Sequence, residues 1–264
     1  MKNAALALGE GGVEDCALEA RIFLADELQM PLSRLFAAYD VELSETRKEA
    51  LDALLRLRLE GEPLQYIQGR AYFMGHEFIV DRRVLIPRQD TELLCELAID
   101  RIGDAPARVA DICTGCGAIA ISIALKCPNA RVFASDISPD ALIVARENAL
   151  RLNAPVEFAR GDFLSAFEDA FDLIVCNPPY LSAWDMKNLQ KEVTFEPALA
   201  LYGGEDGLDF YKRALVEVPP RLKVGGMALF EVGMGQARVI HDFAGSMDIR
   251  TYKDLNGIER IIEF

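Results

Sequence analysis

The sequence predicts an α/β protein, with a seven-stranded, largely parallel sheet preceded by a small all-α helical bundle and a β-hairpin linker. Three observations carry that expectation. Apolar residues in roughly the first 70 positions recur at helical spacings of three and four. Two short extended segments follow, between Tyr72 and Ile86. From Arg108 onward, strand-like apolar runs alternate with helical ones, as in strands joined by crossover helices.

Taken in order, Val13, Cys16, Ala17, Ala20, Leu24 and Leu28 form one helical stripe that Pro31 closes. Ser44 is a suitable N-cap for a second helix carrying Leu51, Leu54 and Leu55, which Gly61 ends. Tyr72–Val80 and Val84–Ile86 flank Asp81-Arg82-Arg83 as a hairpin closed by Pro87, and after Thr91 the helical stripe Leu93, Leu94, Leu97, Ala98 begins. The strands expected beyond it are Arg108–Ile112, Arg131–Ser135, Val156–Ala159, Phe171–Cys176, Met227–Val232, Asp248–Tyr252 and Arg260–Glu263. Ser138-Pro139 opens a helix, with Ser as N-cap and Pro at the first helical position. The expected domains are a bundle over residues 1–71, a linker over 72–87 and a sheet domain over 88–264.

Composition narrows the function. Hydrophobic residues make up 51% of the 264 positions and charged residues 27%, which excludes disorder as the main state. Twenty-eight basic against 42 acidic groups give a net charge of −14, which disfavours a protein that grips nucleic acid by its phosphates. The acidity is spread: residues 1–75 hold 8 basic and 13 acidic groups, the rest 20 and 29. No apolar run approaches the ~18–20 residues of a membrane helix. The apolar stretch at Met1–Leu8 is too short for a secretory signal. Cysteines 16, 95, 113, 116, 127 and 176 read as reduced thiols, so the expected location is cytoplasmic, with no membrane partner.

Two turns carry chemistry. Cys113-Thr114-Gly115-Cys116-Gly117 joins a strand to a helix, where glycines allow tight turning and the helix N-terminus offers unpaired N–H groups. Asp136 closes the next strand, 21 residues after Gly115, at the spacing of an acid that binds ribose hydroxyls. A nucleoside-containing ligand is implied, with S-adenosylmethionine and NAD both open. Cys113 and Cys116 form a C-x-x-C pair, but with two histidines in the chain and no second such pair a zinc site is poorly supplied, and no metal is expected. The pair could still be sensitive to oxidation.

The second turn is Asn177-Pro178-Pro179-Tyr180, after a buried-type strand. Two prolines cannot continue a central strand, so the segment is a rigid turn at the carboxyl edge of the sheet. It suits methylation of a planar NH2 group: the Asn177 oxygen and the Pro178 carbonyl can each accept one N–H, and Tyr180 can stack over the plane. An NAD-dependent dehydrogenase would leave this turn idle. An adenine-N6 nucleic-acid methyltransferase would use it, but would call for a basic surface.

With these motifs the chain resembles the release-factor glutamine N5-methyltransferase family, a class I S-adenosylmethionine-dependent group. The resemblance covers nearly the whole chain. It rests on the two turns and on Glu62–Gly69, Val84–Glu92, Glu196-Pro197 with Gly203–Leu208, Glu231–Gly233 and Asp254–Arg260. It implies a Rossmann-like methyltransferase domain whose substrate is the glutamine of the Gly-Gly-Gln motif in bacterial class I peptide chain release factors. A branch acting on a ribosomal protein glutamine shares the motifs. By family pattern Cys113, Thr114, Gly115, Cys116, Gly117, Asp136, Phe163 and Asn177 would line the cofactor, with Phe163 near the adenine. Residues Asn177, Pro178, Pro179 and Tyr180 would hold the glutamine, with Asn177, Pro178 and Tyr180 catalytic. The bundle would orient the release factor. This chain departs from the pattern twice: Cys113 stands where the first glycine of the turn is usual, and Gln89 where a proline is usual. Cys113 is therefore expected in an ordinary φ/ψ region.

Overall fold

The computed structural model describes residues 2–37 and 42–264, and the chain divides into two compact units. The helical unit comprises Met1–Gln68 together with Lys191–Phe195; the sheet unit comprises Gly69–Gln190 and Glu196–Phe264. No helix among the described residues is long and apolar enough to cross a membrane.

The helical unit contains α1 (Lys2–Glu10), α2 (Cys16–Glu27), α3 (Leu32–Ala37), α4 (Glu45–Leu59) and α5 (Leu64–Gln68). Ser44 caps α4 as expected, its hydroxyl accepting the Arg47 N–H at 3.4 Å. The α2 stripe differs from expectation. The helix starts only at Cys16, so Val13 packs from the preceding turn, Ala17 faces out, and Phe23 joins a cluster with Leu8, Ala20, Leu24, Leu51 and Leu55. Arg58, 6% exposed, pairs with Glu19 at 2.6 Å and with Glu192 of the returning segment at 2.6 Å.

The sheet unit opens with a hairpin, β1 (Arg70–Phe73) and β2 (His76–Ile79). Its turn corrects the expectation of a bend at residues 81–83. The chain reverses at Met74 and Gly75, both at positive φ (50° and 77°), as a two-residue turn matched to strand twist requires. Residues 84–86 are not a strand but an irregular segment.

The remaining elements are α6 (Glu92–Ile102), β3 (Ala107–Ile112), α7 (Ala118–Lys126), β4 (Ala130–Asp136), α8 (Pro139–Leu152), β5 (Val156–Arg160), β6 (Phe171–Cys176), α9 (Ala183–Lys187), α10 (Asp209–Glu217), β7 (Leu222–Glu231), α11 (Gln236–Ala244), β8 (Arg250–Lys253) and β9 (Glu259–Glu263). The seven strands β3–β9 form one sheet in the order β5-β4-β3-β6-β7-β9-β8. Pairs among β3–β7 are parallel, while β9 runs antiparallel to both β7 and β8.

Central strands buried on both faces explain the unbroken apolar run Leu173-Ile174-Val175-Cys176, each at most 2% exposed. The chain moves outward from β3 to β5, then returns to the other side of β3 with β6. The strand order therefore reverses between β3 and β6, where Ile112 and Cys176 are register partners. A crevice opens beyond the carboxyl ends of strands at such a point, and both chemistry-bearing turns emerge there side by side.

Candidate active site

The first turn leaves β3 through Cys113 (φ 61°), Gly115 (φ 56°) and Gly117 (φ 84°). This overturns the expected ordinary geometry of Cys113. The turn requires a left-handed residue directly after the strand, and cysteine takes it at a cost of about 1–2 kcal/mol. Buried Asp111 staples the turn, its Oδ2 accepting from the Thr114 hydroxyl at 2.6 Å and from the Ala120 N–H at 3.1 Å. Burial pushes the Asp111 carboxyl up to about 7 against those two bonds. Asp136 reaches back across the turn, Oδ2 accepting from Gly115 N–H and Oδ1 from Ser138 N–H, each at 2.9 Å. Burial raises its pKa while these donors oppose the rise.

The C-x-x-C cysteines do not act as a pair. Cys116 is buried, its thiol pushed up to about 12 by desolvation, whereas Cys113 adds to the rise that burial imposes on the Cys176 thiol at the end of β6. No group of three His, Cys, Asp or Glu residues suited to a metal occurs among the described residues.

A cleft with a cavity volume of about 130 Å³ lies over these elements. Of the eight residues proposed from sequence for a cofactor, it is lined by Cys113, Gly115, Asp136, Phe163 and Asn177. The others support the wall: Thr114 bonds Asp111, the Cys116 carbonyl accepts from Asn148 at 3.0 Å, and Gly117 opens α7. Phe163 also sits at positive φ (56°), with Phe210 and Phe230 rings 6.3 and 6.4 Å from its own. Sequence reasoning missed Val84, Leu85, Ile137, Gly161, Pro197 and Phe210 of the lining. The signal for three of them is present in the sequence: Val84 and Leu85 lie in the 84–92 segment and Pro197 in Glu196-Pro197, both among the motifs that carry the resemblance. Buried Glu196 joins them, accepting from Arg88 and, at 3.3 Å, from the Ile86 N–H.

The second turn follows β6. The Asn177 Nδ2 donates to the Thr91 hydroxyl oxygen at 3.2 Å. Pro178 and Pro179 are buried, and the Tyr180 hydroxyl donates to Glu231 Oε1 at 3.5 Å. Burial raises the Tyr180 phenol well above its usual pKa and pushes the Glu231 carboxyl up to about 7, with Thr91, Arg260 and Tyr180 opposing the latter rise. The backbone of this turn is clamped. Gln236 donates to the carbonyls of Tyr180 (2.9 Å) and Gly207 (3.1 Å) while accepting from Gly233 N–H (2.9 Å). Leu181 N–H donates to Leu201, and Gly203 N–H to Leu181, at 2.8 and 2.9 Å. Gly203 and Gly207 are required because a Cβ would stand 2.6 Å from the Pro179 oxygen and 2.4 Å from the Tyr180 oxygen, respectively.

Similarity to known proteins extends over this architecture. Residues 1–69 match the PrmC N-terminal domain and residues 89–200 the Methyltransferase small domain. A methyltransferase from Pyrococcus furiosus shares the fold at a TM-score of 0.56 with 19% identity, over 73% of this chain and 89% of that one. Fold and sequence together define a methyltransferase on a Rossmann-like sheet.

The release factor glutamine methyltransferase of Geobacter sulfurreducens is 40% identical over 97% of this chain and 91% of its own. That of Bordetella pertussis is 43% identical over 92% and 93%. The chain belongs to the release factor glutamine methyltransferase family.

Proposed function

We propose that the enzyme transfers a methyl group from S-adenosylmethionine to the side-chain amide N5 of the glutamine in the Gly-Gly-Gln motif of bacterial class I peptide chain release factors, with S-adenosylhomocysteine as product. The observation that carries this reading is that Asn177 lines the same cleft as Gly115, Asp136 and Phe163. One wall of that cleft suits a nucleoside. Each Asp136 oxygen accepts a single backbone N–H and retains a lone pair for a ribose hydroxyl. A Cβ on Gly115 would meet open space, so its backbone is accessible to a ligand. Phe163, Phe210 and Ile137 offer apolar surface to a planar base.

The cofactor, when bound, supplies a methyl group activated by its sulfonium. The chain itself contributes positioning. Asn177 Oδ1 and the Pro178 carbonyl accept the two N–H bonds of the glutamine amide, leaving electron density on a nitrogen that is otherwise a poor nucleophile. Tyr180, fixed by Glu231 and Gln236, flanks the amide plane. The −14 net charge favours a protein substrate over nucleic acid, and we assign the enzyme to the cytoplasm without a membrane partner. Residues 1–71 would serve release-factor recognition, 72–87 the link and 88–264 the chemistry. NAD chemistry assigns no role to Asn177–Tyr180 and is set aside.

Incubation with isotope-labelled S-adenosylmethionine and purified release factor, followed by mass mapping, tests the proposal. The label is expected on the Gly-Gly-Gln glutamine. A label on another residue, or only on a ribosomal protein, overturns it. Asn177→Ala should lower kcat by ~10²–10³ with a smaller loss of cofactor affinity.

A further inference from the structure

Two segments that carry the family resemblance, 84–92 and Glu196-Pro197, take no part in the chemistry assigned above, yet they meet at the cleft. Val84 and Leu85 line it from one segment, Pro197, Leu199 and Ala200 from the other side of the same joint. Neither stretch is a strand, so no ladder of sheet hydrogen bonds joins them.

The tie is Glu196. Its side chain is 2% exposed, and a carboxylate withdrawn from water needs hydrogen-bond donors. Two come from the facing segment: the Arg88 guanidinium and, at 3.3 Å, the Ile86 N–H. A short, stiff path carries this anchor to the cleft. Pro197 follows directly with φ −60°, and the turn after it is closed by the Ala200 N–H donating to the Pro197 carbonyl at 2.9 Å. The far end of the stretch is held separately, by the Leu181 N–H donating to the Leu201 carbonyl at 2.8 Å. Releasing Glu196 therefore frees the cleft-lining residues 197–200 at one end, while Leu201 stays tied beside the Asn177–Tyr180 turn. We propose that Glu196 and Arg88 are positioning residues that latch residues 197–200 to residues 84–86 and so hold the wall of the cofactor cleft, an inference that rests on the S-adenosylmethionine reading of that cleft.

The test is a double-mutant cycle on the full-length enzyme, read as S-adenosylhomocysteine affinity by calorimetry with no release factor present. Arg88→Ala and Glu196→Ala are each expected to weaken binding about tenfold, and the double variant by about the same factor, because one latch is lost in all three. KM for S-adenosylmethionine should rise in step, with kcat at saturating cofactor within about twofold of wild type, since Leu201 still holds its side of the Asn177–Tyr180 turn. Where Glu196→Ala fails to fold, Arg88→Ala, whose side chain is 39% exposed, reads the latch alone. A purely structural pair would lower the melting temperature and leave the affinity of the folded enzyme unchanged, which overturns the proposal. Losses that multiply in the double variant overturn it too, as does a kcat that falls as far as the affinity. Calorimetry needs no methyl acceptor, so weakened binding in the variants upholds the latch even where the wild-type enzyme methylates no release-factor glutamine. A wild-type enzyme that binds no S-adenosylhomocysteine overturns the cofactor reading and the latch with it.

Discussion

Gly203→Ala probes whether catalysis depends on the position of the Asn177–Tyr180 backbone. The φ of Gly203 lies outside the left-handed region, so alanine is refused by space and not by backbone conformation. Its Cβ would stand 2.6 Å from the Pro179 oxygen, 2.8 Å from Tyr180 Cα and 3.0 Å from the Gly207 oxygen. Ordinary contact begins at 3.4 Å, so the Pro179 carbonyl must retreat by about 0.8 Å. The turn cannot yield freely, because two prolines fix their own φ and Gln236 holds the Tyr180 carbonyl at 2.9 Å. Overpacking of this kind costs ~1–3 kcal/mol. A displacement near 1 Å at a reacting centre costs on the order of 10²-fold. We therefore expect a folded but destabilised enzyme with kcat reduced ~10–10²-fold, and cofactor binding much less affected because Gly115 lies in the turn after β3 and Asp136 at the end of β4. Steady-state methyl transfer, a thermal melt and cofactor titration read the three quantities. A folded Gly203→Ala with kcat within about twofold of wild type would refute the argument.

Three further predictions concern stability. At position 113 glycine should be more stable than alanine by about 0.5–1 kcal/mol in urea unfolding, the left-handed penalty outweighing the looser unfolded chain; an alanine variant of equal stability would remove the strain. Glu231 holds its proton more tightly folded (about 7) than its ordinary 4.5, so the stability it contributes is present at low pH and lost as pH rises through 7. From pH 5.5 to 8 that loss is about 2 kcal/mol, and Glu231→Gln should gain that much on wild type over the same window, whereas a pH-independent difference would contradict it. Arg58→Ala leaves Glu19 buried without its partner and should cost ~3–5 kcal/mol, a figure that a loss below ~1 kcal/mol would disprove.

Elements whose determinants are local were legible in the sequence. Ser138 accepts the Ala141 N–H at 3.2 Å because cap chemistry involves neighbours only, and α7 spans Ala118–Lys126 as its turn and apolar run indicate. The hairpin was misplaced because one of its two left-handed turn residues is Met74, a type that gives no turn signal, and Gly75 alone marked the reversal. The same limit hid the supporting residues of the site. Thr91 and Asn177 are 86 positions apart, and Glu196 reaches Arg88 across 108, so only the sheet order brings them together.

Cys113 shows why the local rule failed where it mattered. From sequence, a non-glycine residue in the turn implies an ordinary φ; the fold imposes 61° on Cys113 in a turn that delivers Gly115 N–H to Asp136 at 2.9 Å. A strained residue persists when its surroundings over-determine it. Here Asp111 holds the turn from beneath through Thr114 and Ala120, and Asp136 holds it from above. Asp111 is buried and Asp136 half-buried, and burial raises the pKa of both, so the support is itself costly. The glycine turn is therefore rigid before any ligand arrives, as is the clamped Asn177–Tyr180 turn beside it. Two rigid backbones flanking one cleft are what a reaction catalysed by positioning demands.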